Sequence, residues 1–177
     1  MLDIILMLVA IAVVVFLIVV SRQPDDFKVT RSASMAAPVS SVFAQVNDLH
    51  KWEAWSPWAK LDPAAKNAFE GPESGVGAIM RWSGNNKVGV GSMTIIESHS
   101  DDLVRFKLDF LKPFKATNTA EFWFKSEGDQ TVVTWSMLGK NNFISKAMGL
   151  IMNCDKMVGG QFEQGLSSIK SIVEAGG

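Results

Sequence analysis

An uninterrupted apolar run near the N-terminus constrains this chain more than any other feature. Ile4 to Val20 reads IILMLVAIAVVVFLIVV and holds no polar side chain. As a helix these roughly 17 residues span about 25 Å, near the short end of a bilayer's hydrocarbon thickness. A cleaved signal peptide would need a basic N-terminal flank and a small-x-small cleavage site. Asp3 precedes the run and VVSR closes it, so residues 1–21 are predicted to form one transmembrane anchor helix.

The charges beside this run predict how the chain sits in a membrane. Arg22, Lys28 and Arg31 follow the run, and no Lys or Arg precedes it. Basic flanks tend to remain in the cytoplasm. We therefore expect a single-pass protein of the inner (cytoplasmic) membrane. Its polar linker at 22–26 would lead into one soluble domain, residues 27–177, that faces the cytoplasm.

The remaining composition removes several classes of function. The net charge is −1 and the basic residues are not clustered, so nucleic acid is not an expected partner. His50 and His99 lie outside any HxH or HExxH pattern, and no metal is expected. Neither a dinucleotide-binding loop nor a GxSxG motif is present, so no cofactor is expected. The single cysteine, Cys154, is predicted to be a buried, unreactive thiol.

Hydrophobic periodicity predicts an α+β domain. Phe27 to Met35 alternates as a strand, two short helices follow Pro38, and Val104 to Phe110 shows the clearest alternation. Turns recur about every 8–14 residues, which indicates consecutive antiparallel strands, about seven in all. From Ile144 to Val173 the apolar spacing changes to three and four. This spacing predicts one long amphipathic helix, interrupted by Gly159-Gly160.

The order of these elements resembles a known superfamily. VTRSASMAAPVSSVFAQVNDLHKWEAWSPW at the front and FEQGLSSIKSIV at the end are similar to SRPBCC proteins, which include START-like lipid-binding domains and the polyketide cyclase/dehydrase-like group. The resemblance covers about Phe27 to Val173. It implies a helix-grip fold, in which a curved antiparallel sheet wraps around the long C-terminal helix. A curved sheet and one helix tend to leave an apolar cavity between them.

The inward-facing positions are the candidate ligand contacts, although for any single one of them a core role is favoured. They are overwhelmingly apolar, as a pocket for a hydrophobic molecule would be. The candidates are Met80, Trp82, Met93, Ile95, Phe106, Leu108, Phe110, Phe122, Phe124, Trp135, Met137, Ile151, Asp155 and Phe162. Trp52, Trp55 and Trp58 either gate this cavity or pack the short helices onto the sheet, and packing is favoured.

Three charged residues fall on the predicted inner face. Arg31, Glu97 and Asp155 are costly to bury unpaired, so an ion pair is the simplest reading. Asp155 is the first choice for an anchor to a ligand's polar head group. The same three are weak catalytic candidates, and no catalytic residue is assigned.

The sequence favours a non-catalytic, membrane-anchored module that binds a hydrophobic small molecule or lipid. Two alternatives stay open. The resemblance implies an enzyme of the cyclase, aromatase or dehydratase kind, which would need an acid or base in the cavity. It also implies a protein-interaction module like the co-chaperone activators of the superfamily, with an unidentified partner and an exposed apolar patch.

Overall fold

This computed structural model describes residues 1–176. These residues form six α-helices and seven strands. The helices are α1 (Leu2–Ser21), α2 (Val39–Asn47), α3 (Trp52–Trp55), α4 (Pro57–Leu61), α5 (Phe143–Gly149) and α6 (Cys154–Ala175), with a 3-10 turn at Leu49–Lys51. The strands are β1 (Asp26–Met35), β2 (Lys66–Glu70), β3 (Ile79–Ser83), β4 (Val90–His99), β5 (Leu103–Lys112), β6 (Ala116–Glu127) and β7 (Gln130–Lys140).

All seven strands form one antiparallel sheet in the order β1-β7-β6-β5-β4-β3-β2. Consecutive strands are neighbours from β2 to β7, and β1 closes the other edge beside β7. The predicted α+β class and strand number are confirmed. β2 was not among the predicted strands because its KNAFE sequence carries one large apolar side chain, Phe69, on a mostly exposed edge strand.

Helix α6 covers the inner face of the sheet and packs mainly against β1. Its buried side is a stripe of Phe162, Leu166, Ile169 and Val173, which recur at three- and four-residue steps as predicted. Helices α2, α3 and α4 pack against the same helix. The apolar face of the sheet and the apolar face of α6 thereby bury each other.

The C-terminal helix is shorter than its apolar spacing suggested. Asn153 accepts a hydrogen bond from the Lys156 backbone N–H at 2.8 Å, so it caps the start of α6 and separates it from α5. The prediction that Ile151 faces inward is therefore wrong: it lies between the two helices and is 85% exposed. Cys154, predicted to be buried, is exposed in the first turn of α6.

Helix α1 projects from the domain with its apolar side chains exposed. Only Val20, in its last turn, is buried, and α1 contacts α5. The helix is long and apolar enough to cross a membrane, a property that an N-terminal signal sequence shares. The segment after α1 is held in place. The Asn141 backbone N–H donates to the Asp25 carbonyl at 2.7 Å, and its side-chain amide donates to the Pro24 carbonyl at 3.1 Å.

Candidate functional site

The inner face of the sheet divides into a closed half and an open half. In the closed half, Phe106, Phe122, Phe124 and Trp135 are nearly inaccessible to solvent, as are Met93 and Ile95 beside them. In the open half five large apolar side chains are only half-buried. These are Met80, Trp82, Leu108, Phe110 and Met137.

The closed half is built around Trp135 of β7. Its ring stacks on Phe162 of α6 with centroids 4.0 Å apart and on Phe122 of β6 at 4.6 Å. Trp52, Trp55 and Trp58 approach it edge-on at 5.8–6.2 Å. The WEAWSPW segment therefore packs the short helices onto the sheet, as the favoured interpretation had it.

Trp135 also sets how closely the helix approaches the sheet. A Cβ at Gly165 would lie 2.8 Å from the Trp135 ring, so only glycine allows this contact. Trp52 and Trp55 donate their indole N–H groups to the carbonyls of Val46 and Gln45. The indole N–H of Trp135 is buried and has no partner among the described residues. A buried hydrogen-bond donor without a partner costs about 1–3 kcal/mol.

The open half ends in an aromatic pair. Trp82 and Phe110 meet edge-to-face with centroids 5.8 Å apart. The Trp82 ring lies across Gly91 of the neighbouring strand, where a side chain would overlap it. Trp82 donates to the Val88 carbonyl at 3.3 Å, which ties the ring to the β3–β4 loop.

Two pockets stand out on the surface, and neither lies between the sheet and α6. One of about 320 Å³ is bordered by His50, Phe69 and Glu73. The other, about 440 Å³, follows the ends of β1, β7 and β6 and is bordered by Phe27, Thr119 and Leu138. The expected cavity is therefore not represented by either pocket. The space in the closed half is taken by stacked aromatic rings.

Arg31 and Asp155 form an ion pair at the edge of the domain. The Arg31 guanidinium binds Asp155 at 3.0 Å and Glu163 at 2.7 Å, which bridges β1 to α6. The hydrogen bond from Arg31 holds the pKa of Asp155 below its ordinary value. Asp155 is exposed, so its predicted inward position is wrong, whereas the predicted pairing of Arg31 with a carboxylate is correct. Glu163, the second carboxylate, was not identified from sequence.

Gly159 explains how this ion pair reaches the helix. The Arg31 guanidinium lies against the backbone of α6 in the space that a Cβ at position 159 would occupy. The helix continues without a break through Gly160, which has no neighbour within 4 Å of a built Cβ. The glycine pair thus marks a close contact and not an interruption.

The two adjacent glycines are expected to respond to alanine with opposite signs. Gly159→Ala should lower the free energy of unfolding by about 1 kcal/mol, because the methyl group displaces the flexible Arg31 guanidinium from exposed carboxylates, whose ion pairs are each worth about 1 kcal/mol or less. Gly160→Ala should raise it by roughly 0.5–1 kcal/mol, since alanine favours a helix. Thermal and denaturant unfolding of both variants beside the wild type measures this. Equal destabilisation by both changes would contradict the assigned contact.

Glu97 is not on the inner face, contrary to the prediction. A β-bulge between Ile95 and Glu97 adds one residue to β4, so Glu97 pairs in register with Arg105 on the outer face. The Arg105 guanidinium binds both Glu97 and Glu121 there. Simple alternation could not anticipate this, because a bulge reverses the side of every later residue in the strand.

A seven-stranded antiparallel sheet around a C-terminal helix, with an apolar inner face, defines the helix-grip class of the SRPBCC superfamily. The chain matches the family model described as "Polyketide cyclase / dehydrase and lipid transport" over residues 26–174. The protein therefore belongs to this family. None of the curated proteins compared with the chain matches it.

Solved structures share the fold at low identity. Protein CV1439 from Chromobacterium violaceum has a TM-score of 0.60 and 13% identity over 86% of this chain and 99% of its own. The di-domain ARO/CYC BexL from the BE-7585A biosynthetic pathway has a TM-score of 0.61 and 14% identity over 88% of this chain and 52% of its own. The Aha1 dimer from Colwellia psychrerythraea gives 0.56 and 13% over 84% and 96%.

Proposed function

We propose that this protein is a membrane-anchored binding module that takes a hydrophobic small molecule or lipid at the open half of the inner face. One observation carries the proposal: five large apolar side chains remain partly exposed there, although the adjoining closed half is fully packed. Exposed apolar surface of this kind is unfavourable in water, and an apolar ligand would cover it.

The position of the open half supports the proposal that its apolar ligand comes from the membrane. Asp26, five residues after α1, pairs with Lys140 at the end of β7, and the strand register places Phe110 near the same end of the sheet. Trp82 lies opposite Gly91, which pairs with Phe110. The open half and the C-terminal end of α1 therefore lie at the same end of the sheet. An apolar molecule leaving a bilayer beside α1 would have a short path to this surface.

The anchor and its orientation are part of the same proposal. α1 has the length and composition of a membrane span, and Arg22, Lys28 and Arg31 follow it. These charges favour an inner-membrane protein with its domain in the cytoplasm.

The other two functions have less support. For an enzyme, Arg31, Asp155 and Glu97 were the acid–base candidates, and all three are held in ion pairs. Glu97 lies on the outer face and Asp155 is exposed, whereas Arg31 shares the inner face with Trp135 but is bound to Asp155 and Glu163. For a protein-interaction module, the exposed apolar patch that it requires does exist around α5. That patch touches α1, and we assign it to a different contact below.

We expect Phe110→Arg to weaken binding of a fluorescent fatty-acid analogue by about tenfold or more, because the apolar ligand would have to desolvate a charge. The assay uses the domain from Asp25 onward, without detergent, and native mass spectrometry reports any co-purified molecule. Leu111→Arg is the matched control, since Leu111 is the next residue and is already 52% exposed.

Equal loss in both variants would show that the open half is not the site. Absence of any binding to the folded wild-type domain, together with no co-purified apolar molecule, would reject the binding function itself. Near-ultraviolet circular dichroism checks that each variant retains the packed aromatic core.

A further inference from the structure

Exposed apolar side chains cluster around α5 and the segment after it. Phe143, Ile144, Met148, Leu150, Ile151 and Met152 are each between 38% and 85% exposed. No residue of α5 itself is buried. We call residues 143–152 the α5 face. A water-soluble domain rarely leaves such a contiguous apolar surface uncovered.

The α5 face lies at the level where α1 would leave a bilayer. α5 contacts α1, and Val20, the last residue of the apolar run, is fully buried. Lys146 of α5 forms an ion pair with Asp25 just after α1. With the hydrogen bonds from Asn141 to residues 24 and 25, this pair fixes α5 beside the last turn of α1.

The loops that connect the strands are charged differently at the two ends of the sheet. At the α1 end, the β3–β4 loop carries Lys87, and the β5–β6 turn carries Lys115 next to Lys112. Neither loop contains an acidic residue, although the Asp62 carboxylate accepts a hydrogen bond from the Asn85 backbone N–H of the β3–β4 loop at 2.7 Å. At the opposite end, the three connecting loops contain acidic residues and no basic ones. The acidic residues are Glu73, Asp101, Asp102 and Asp129.

Acidic residues near the exit of α1 do not offset this pattern, because they are paired. Asp25 binds Lys146, and Asp26 binds Lys140 at 2.6 Å. The end of the domain that carries the apolar α5 face is therefore also the end whose loops are basic. Apolar side chains together with lysines are the combination that binds an anionic bilayer surface.

We propose that the α5 face rests in the headgroup region of an anionic bilayer and holds the domain in one orientation on the membrane. This inference depends on the proposed membrane anchor. α5 and residues 150–152 insert their apolar side chains beside α1, while Lys87, Lys112 and Lys115 contact lipid phosphates. The acidic end of the sheet then points away from the negatively charged surface.

Cys154 provides a direct test, because it is the only cysteine and is exposed two residues after the α5 face. The full chain is labelled there with an environment-sensitive fluorophore and reconstituted into phosphatidylcholine–phosphatidylglycerol vesicles that contain a headgroup-level spin-labelled lipid. We expect a blue shift and strong quenching. The control is a label at Val76→Cys in a Cys154→Ser background, since Val76 is 58% exposed at the opposite end. It should show neither effect.

Charge and apolar contact are then separated with substitutions. Ile144→Glu with Ile151→Glu should abolish most of the quenching, and Val76→Glu should leave it unchanged. Each Lys→Gln change among the three lysines should lower the ratio of docked to undocked domain about fivefold in anionic vesicles. In phosphatidylcholine alone these lysine variants should match the wild type.

Other outcomes overturn the proposal in distinguishable ways. A chain that fails to co-float with vesicles refutes the anchor on which the inference rests. If the chain co-floats with vesicles but its Cys154 label stays fully exposed to water, the docking of the α5 face is refuted and the anchor is not. A label shielded from water but not quenched by lipid, with crosslinks between Cys154 residues or to a second protein, assigns the α5 face to a protein contact.

Discussion

Trp135→Ala is expected to lower the free energy of unfolding by about 3–5 kcal/mol, the range for removing a large buried aromatic side chain. The loss would be a large part of a typical domain stability of about 5–15 kcal/mol. Its cause is the position of Trp135, which stacks on Phe122 and Phe162 and touches the edges of three other tryptophans. Removing it deprives the sheet, α6 and the short helices of their common contact.

Trp123→Ala is the matched control, because Trp123 lies on the neighbouring strand but faces outward and is 42% exposed. Its indole donates only to Glu121 at the surface. We expect a change of about 0.5 kcal/mol or less, as for most surface substitutions. Denaturant unfolding of the full chain in mild detergent, followed by near-ultraviolet circular dichroism, compares the two. Similar losses would contradict a core centred on Trp135.

Deleting residues 2–21 should move the protein from the membrane fraction to the soluble fraction almost completely. The apolar run contributes about 4–8 kcal/mol to insertion when Leu, Ile, Val and Phe each add a few tenths. Loss of that contribution shifts the distribution about 1000-fold or more. Flotation with membranes and resistance to carbonate extraction measure the outcome, because peripheral proteins are released and spanning proteins are not.

A permuted α1 with the same composition should remain in the membrane, since a span depends on hydrophobicity and length. An N-terminal epitope tag distinguishes the anchor from a signal peptide. The anchor predicts that membrane-bound protein keeps the tag. A tag-free, soluble mature chain would show that α1 is removed.

Local patterns were sufficient for most of the fold. The alternation in β5 and β7 and the three- and four-residue spacing in α6 each depend on neighbours along the chain, so they could be read without coordinates. The bulge before Glu97 could not be predicted, because it depends on how β4 pairs with β5. The start of α6 had a local signal, the capping residue Asn153, but apolar spacing on both sides of it obscured the boundary.

The candidate site was predicted less completely because it depends on contacts between distant segments. The sequence placed Met80, Trp82, Leu108, Phe110 and Met137 on the inner face, and the structure agrees. It could not separate them from Phe122 or Trp135, which share that face but are sealed by α6 and the short helices. The contact of Arg31 with Gly159 joins residues far apart in the chain, so no local pattern reveals it.

The hydrogen bonds from Asn141 to residues 24 and 25 also limit how far the soluble domain can move from the end of α1. A flexible tether would let a domain swing and deliver cargo to an opposing membrane. Here the β-sheet begins five residues after α1, and the short connecting segment is hydrogen-bonded to Asn141, the residue that follows β7. As the proposed membrane anchor, α1 would keep the soluble domain against its own leaflet, so that it moves only by lateral diffusion and any exchange of a bound molecule requires the donor or acceptor to come to it.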